Sequence, residues 1–176
     1  MTKFQNPSEF IAINIALITI SDTRTIKNDK SGNLLQERIT SIGHNLKERN
    51  IIQDDFEIIK QTFIDLSAEP LIDAIISTGG TGLTGRDSTP EAVIELSEKV
   101  IDGFGELFRQ ISYNKIGTST IQSRAIGAVI NGTYVFCLPG SPGACKDGWD
   151  GILQYQLDIR HKPCNFIEIM SRLKEK

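Results

Sequence analysis

The chain has 176 residues, 39% hydrophobic and 23% charged, which is the composition of one ordinary globular domain with room for a real core. A net charge of −3 and a pI near 5.4 argue against a nucleic-acid surface, and no apolar stretch approaches the ~18 residues of a membrane span. The opening MTKFQNPSEF has no signal-peptide core, so a cytoplasmic location is expected.

In chain order, INIALITI (13–20) is a continuous apolar run, as a parallel strand covered on both faces should be. Leu35, Ile39 and Ile42 place a helix over 31–42, stopped by Gly43. HNLKERNII (44–52) reads as a weaker strand, and His44 at its polar start is assigned to the surface. Phe56, Ile59, Phe63 and Leu66 make one helical face, and Pro70 ends that region. LIDAII (71–76) is a further buried strand. TPEAVIEL (89–96) is a helix with Pro90 in its first turn and Thr89 or Ser88 as N-cap.

Phe104, Leu107, Phe108 and Ile111 mark another helical face, with Arg109 and Ser112 on a stripe beside it. Two β-like runs in AIGAVINGTYVFCLPG flank Asn131-Gly132, a hairpin signal. A last helix spans roughly 144–160, carries Trp149, Ile152, Leu153 and Leu157 on one side, and is closed by Pro163. His161 is placed in its last turn, where a partly charged imidazole suits the dipole. The alternation predicts a single α/β domain, a three-layer α/β/α sandwich with a mostly parallel sheet and an antiparallel edge hairpin. Its core runs from about 11 to 165 between short polar termini. Cys137, Cys145 and Cys164 match no zinc spacing and read as buried or idle thiols.

In such sheets ligands sit beyond the carboxyl ends of the strands. Three loops leave strands there: 21–24, the stretch STGGTGLTGRDSTPE (77–91), and 138–141. All are rich in glycine or short hydroxyl side chains, which favours a phosphate-bearing ligand. Gly80, Gly82 and Gly85 match the spacing G-x-G-x-x-G, but helix entry at Pro90 falls too late and the match follows the third strand, so a dinucleotide fingerprint is not supported. The chain has no Gly-Lys pair, which excludes a Walker loop. Asp87 would repel phosphate unless a cation lay between them; its other assignments are a cap on the next helix or a pair with Arg86.

Taken with ITISDTR, GFGELFRQISYNKIGTSTIQSRA and LPGSPGAC, the stretch STGGTGLTGRDSTPEAV resembles the signature of the MoaB/MogA family of molybdenum cofactor biosynthesis proteins. GTSTIQSRA and HKPCNF look closer to the MoaB branch. The resemblance implies a trimer or a dimer of trimers that binds molybdopterin and works with other molybdenum cofactor biosynthesis proteins. It also implies a reaction: the molybdopterin phosphate attacks the α-phosphate of ATP, carried with Mg2+, and pyrophosphate leaves. Asp87 matches the family's essential aspartate. Asp54 matches a second functional aspartate, with Gln53 in place of the usual proline and Asp55 as a possible substitute. Both carboxylates are expected to hold the metal. Thr81 and Ser112 match the pterin-phosphate site. Ser21, Thr78, Gly79, Gly80, Gly82, Pro139, Gly140 and Ser141 match loops lining the pocket. The alternative implied by the MoaB branch is an accessory or carrier protein that binds molybdopterin without efficient turnover.

Overall fold

A computed structural model of the protein describes residues 9–175. The first eight residues and Lys176, which hold part of the polar termini expected above, lie outside the described residues. Six strands form one sheet in the order β2-β1-β3-β6-β5-β4. The strands are β1 (Asn14–Ile20), β2 (Asn45–Ile52), β3 (Ala74–Thr78), β4 (Lys99–Val100), β5 (Ile126–Ile130) and β6 (Thr133–Leu138). The first four in spatial order run parallel, β5 returns antiparallel to β6, and the two-residue β4 closes the other edge. The turn between β5 and β6 places Asn131 at φ 49° and Gly132 at φ 70°, the left-handed pair that a two-residue hairpin requires.

Side chains alternate across β1 and so divide the core in two. Ile15 and Leu17 face α1 (Lys30–Ser41), α4 (Asp102–Ile116) and α5 (Pro142–Gly148), meeting Leu35, Ile39, Phe104 and Phe108. Ala16, Ile18 and Ile20 face α2 (Phe56–Ala68) and α3 (Thr89–Leu96), meeting Ile59, Phe63 and Val93. This is the three-layer α/β/α arrangement read from the sequence.

The expected strand at 71–76 lies at 74–78. Its register runs on through Ser77 and Thr78, both buried between β1 and β6, while Asp73 instead accepts the Asn14 N–H at 2.7 Å. The helix expected over 144–160 is also shorter than expected, and a further short helix, Phe166–Met170, follows it. The former continues from α5 through a π turn at Trp149–Leu153 and ends at Gln156. There the Asp158 carboxylate takes the Arg160 N–H at 2.9 Å, a local bond that competes with a helical one. His161 therefore lies beyond the helix, its ring 5.5 Å from that of Tyr155, and the dipole assignment fails. Cys137 and Cys145 are buried and Cys164 is exposed, all as free thiols.

His44 is not on the surface. It is 4% exposed, its Nδ1 accepts the Ile13 N–H at 3.3 Å, and its ring lies 4.9 Å from Phe10 and 6.3 Å from Trp149. A single polar residue beside a weak strand carried no sign of this aromatic cage. Burial lowers the His44 pKa from 6.5 to about 4, against the nearby Asp158 charge, which raises it. Between those values the unfolded chain binds a proton that the native state excludes. The stabilisation from neutral His44 is therefore complete above about pH 6.5 and is lost as the pH falls toward 4, at no more than about 1.4 kcal/mol per unit. Urea midpoints at pH 7, 5.5 and 4.5 should fall more steeply for the wild type than for His44→Phe. Equal slopes would contradict this.

Candidate functional site

The carboxyl ends of β1, β3 and β6 lie side by side, and their three loops meet. At the end of β3 the chain turns sharply. Gly79 adopts φ 108° while its N–H donates to Leu138 C=O at 3.0 Å, and Gly80 follows at φ 62°. A Cβ on Gly79 would stand 2.2 Å from the Ile20 carbonyl, so only glycine fits between the strand ends. The turn is tied to the start of α3: Thr89 N–H donates to Gly80 C=O at 3.0 Å and Thr89 Oγ1 donates to Gly79 C=O at 3.2 Å. Gly85, the last glycine of the dinucleotide-like spacing, sits in the exposed loop before this helix, with nothing within 4 Å of where its Cβ would be.

A cavity of about 400 Å³ opens over this turn. Gly79, Gly80, Thr81, Gly82 and Asp87 form one wall, Pro139, Gly140 and Ser141 a second, and Ser112 of α4 a third. Nine of the sequence-selected residues thus meet in one space. Ser112 lies one turn beyond Phe108 on the inward face of α4 rather than beside it, and is 7% exposed. Thr78, Ser21 and Asp54 are not among the lining residues. Thr78 is buried beneath the loop, where its hydroxyl donates to Pro139 C=O at 3.0 Å and touches Cys145 Sγ at 3.1 Å. Ser21 Oγ accepts the Thr23 and Arg24 N–H groups, both at 3.3 Å, and so shapes its own loop. Phe108, Ile116, Gln122, Ser123 and Ala144 complete the lining. Gln122 and Ser123 come from a 3-10 turn, Gly117–Gln122, and the residue after it, a turn with no hydrophobic periodicity to announce it.

The two aspartates flank the glycine turn. An ideal Cβ on Gly80 would stand 3.1 Å from Asp54 Oδ1, and one on Gly82 would stand 2.7 Å from Asp87 Oδ2. Asp55 is the N-cap of α2, accepting the Glu57 and Ile58 N–H groups at 3.1 Å, so it is Asp54 that faces the turn. Burial pushes the Asp54 pKa upward, and the charges of Asp87 and Asp22 push the same way. Its Oδ1 is buried with no hydrogen-bond partner.

Asp87 behaves oppositely. Burial alone would raise its pKa, but bonds from Thr84 and the Gly82 amide, with the Arg124 charge, hold it below the ordinary value. Its Oδ2 accepts Thr84 N–H at 2.9 Å and Thr84 Oγ1–H at 2.6 Å. It neither caps α3 nor pairs with Arg86. The helix has no side-chain cap bond, and Arg86 pairs with Asp22.

An α/β domain with a glycine-turned, hydroxyl-lined cavity and a carboxylate pair at its strand ends belongs to the ligand-binding class of three-layer folds. Residues 16–159 match the family model described as "Probable molybdopterin binding domain". The chain is 40% identical over 162 residues to molybdenum cofactor biosynthesis protein B of Escherichia coli, covering 92% of this chain and 95% of that one. It is 46% identical over 145 residues to the protein of the same name from Bacillus cereus, covering 82% and 84%. A crystal structure of molybdenum cofactor biosynthesis protein B superposes with a TM-score of 0.84 at 40% identity, over 94% of this chain and 98% of that one. The tungsten cofactor synthesizing protein MoaB from Pyrococcus furiosus superposes with a TM-score of 0.74 at 31% identity, over 93% and 98%. The chain belongs to the MoaB/MogA family of molybdenum cofactor biosynthesis proteins, and its domain is a molybdopterin-binding domain. Among the described residues, no helix is long and apolar enough to cross a membrane.

Proposed function

We propose that the protein adenylylates molybdopterin with Mg2+-ATP and releases pyrophosphate. The observation that carries this reading is the pair of carboxylates set against a glycine turn that otherwise suits phosphate. Asp54 keeps a buried oxygen without a partner and has an elevated pKa caused by burial and by its acidic neighbours. A cation bound there would relieve both. Among the described residues no cluster of three or more His, Cys, Asp or Glu could hold a metal ion. Magnesium takes one or two carboxylates and completes its shell with substrate phosphates and water, so the two aspartates would suffice. When bound, the metal would neutralise charge building on the departing pyrophosphate.

The chain's own residues would do the rest by positioning. Gly79, Gly80 and Gly82 let backbone approach the phosphates, Thr81 and Ser112 offer hydroxyls to the pterin phosphate, and Asp87 and Asp54 face the nucleotide side. No general base is required, because a phosphate monoester is already largely ionised near neutral pH. In-line placement of two phosphates supplies the main advantage. Mass spectrometry after incubation with molybdopterin, ATP and magnesium tests the reading, with adenylylated molybdopterin as the expected product.

The same reading includes a trimer. Phe104, Phe108 and Trp149 are spent in the core at 3%, 1% and 1% exposure. The apolar surface lies elsewhere on α4 and the turn after it, at Leu107, Tyr113, Ile116 and Ile121. Light scattering should give the mass of three chains or a multiple of three, and Ile121→Glu should lower it; a monomeric wild type would contradict the assignment.

A further inference from the structure

The loop 82–87 carries Asp87 but has almost nothing apolar to hold it. Residues 83–86 are all exposed, and a Cβ at Gly85 would meet open space. One guanidinium holds both of its ends. Arg124 Nε donates to Gly82 C=O at 2.7 Å, and its Nη2 donates to Asp87 C=O at 2.8 Å. The remaining Nη1 pairs with Glu91 in the first turn of α3. Arg124 itself stands two residues before β5, and its neighbour Ser123 lines the cavity. The fork therefore spans the mouth of the loop and anchors it to the sheet on one side and to a helix on the other. The only other side-chain tie from outside the loop, among the described residues, is the exposed Arg86–Asp22 pair.

We propose that Arg124 is a positioning residue: its fork fixes the loop 82–87, and thereby holds the Asp87 carboxylate against Gly82 in the cavity wall. Two carbonyls on opposite ends of a loop need two donors in one rigid plane, which arginine has and lysine lacks. The role does not depend on sequence-specific contacts to a ligand. Only its effects on metal binding with ATP and on turnover rest on the adenylyl-transfer reading. Without the fork, the bonds inside the loop, from Thr84 N–H to the Asp87 carboxylate and from Asp87 N–H to Thr84 C=O, would open more often.

The test compares wild type, Arg124→Lys, Arg124→Gln and Glu91→Gln as full chains. Hydrogen exchange is read first. In both Arg124 variants the bonded amides of the loop, those of Gly82, Thr84 and Asp87, should exchange about a hundredfold or more faster, the order expected for two lost bonds from a charged donor. The strands β1 and β3 should keep wild-type protection. Glu91→Gln keeps both carbonyl bonds and should stay near wild type.

Mn2+ binding in the presence of ATP, followed by electron paramagnetic resonance, should weaken about tenfold in both Arg124 variants. If the wild type turns over, kcat should fall on the order of 10²-fold while the molybdopterin KM changes little, as for a misplaced group. A wild type that makes no product would end the adenylyl-transfer reading but leave the exchange result to decide the clamp. Wild-type loop exchange in Arg124→Gln would overturn the proposal. So would restoration of exchange by Arg124→Lys, which would show that charge and not the fork matters. Faster exchange spread evenly through β3 and α3 would also overturn it, as a general loss of stability.

Discussion

Asp87→Asn should lower adenylyl transfer by on the order of 10² to 10³ and leave the fold intact. The magnitude is that of losing one preorganised electrostatic contact at a reacting centre. The fold should survive because Asn keeps the shape, and because one side-chain oxygen can still accept from Thr84, whose N–H and hydroxyl both converge on Asp87 Oδ2. What disappears is the full negative charge that faces the Gly82 wall. Asp54→Asn should act in the same direction. Asp55→Asn is the control: Asp55 serves α2 as a cap, and Asn caps about as well as Asp. Thr81→Ala should show the converse bias, with pterin binding weaker by roughly threefold to tenfold, the range of one neutral hydrogen bond. Product formation under saturating ATP, pterin affinity and thermal unfolding are measured for each variant. An intact Asp87→Asn protein as active as wild type would contradict the metal role.

Gly79→Ala should be the most damaging small substitution to the fold. Two costs combine. The residue holds φ 108°, where a Cβ is strained, and the new Cβ would lie 2.2 Å from a backbone oxygen of β1 that has no side-chain freedom to yield. Strain of roughly 1–2 kcal/mol and overpacking of about 1–3 kcal/mol suggest a loss on the order of 3 kcal/mol, a large part of the 5–15 kcal/mol typical of a domain. The strand ends also carry the cavity wall, so ligand binding should fall with stability. Gly85→Ala, in open space, should leave the urea midpoint within about 0.5 kcal/mol of wild type. Equal midpoints for both variants would contradict the steric account.

The layers were legible because the core obeys simple periods. The unbroken apolar run of β1 feeds both faces of a buried sheet, and the steps of three and four in α2 place Ile59 and Phe63 on the inner face. The hairpin was legible because Asn131-Gly132 demands positive φ at both positions. The meeting of the loops that carry Thr81, Asp87 and Gly140 was legible from the rule for strand ends, and the addition of Ser112 only through motif resemblance, since it lies on a helix far from both loops in the chain.

What the sequence did not disclose depends on long-range geometry. The exchange of roles between adjacent aspartates at 54 and 55 is decided by where α2 starts. The burial of His44 depends on Phe10 and Trp149, more than thirty and one hundred residues away. Arg124 bonds to carbonyl groups, which have no sequence signature at all.

The central claim is that this cavity joins two phosphates in line, and a single-turnover measurement tests it most directly. Wild-type protein in excess over molybdopterin is mixed with ATP and magnesium, and pyrophosphate is followed with time. One pyrophosphate should appear for each molybdopterin, none without molybdopterin, and an equal amount of adenylylated pterin should accumulate. Saturable molybdopterin binding with no pyrophosphate and no adenylylated pterin over hours would contradict the account and leave a carrier in its place.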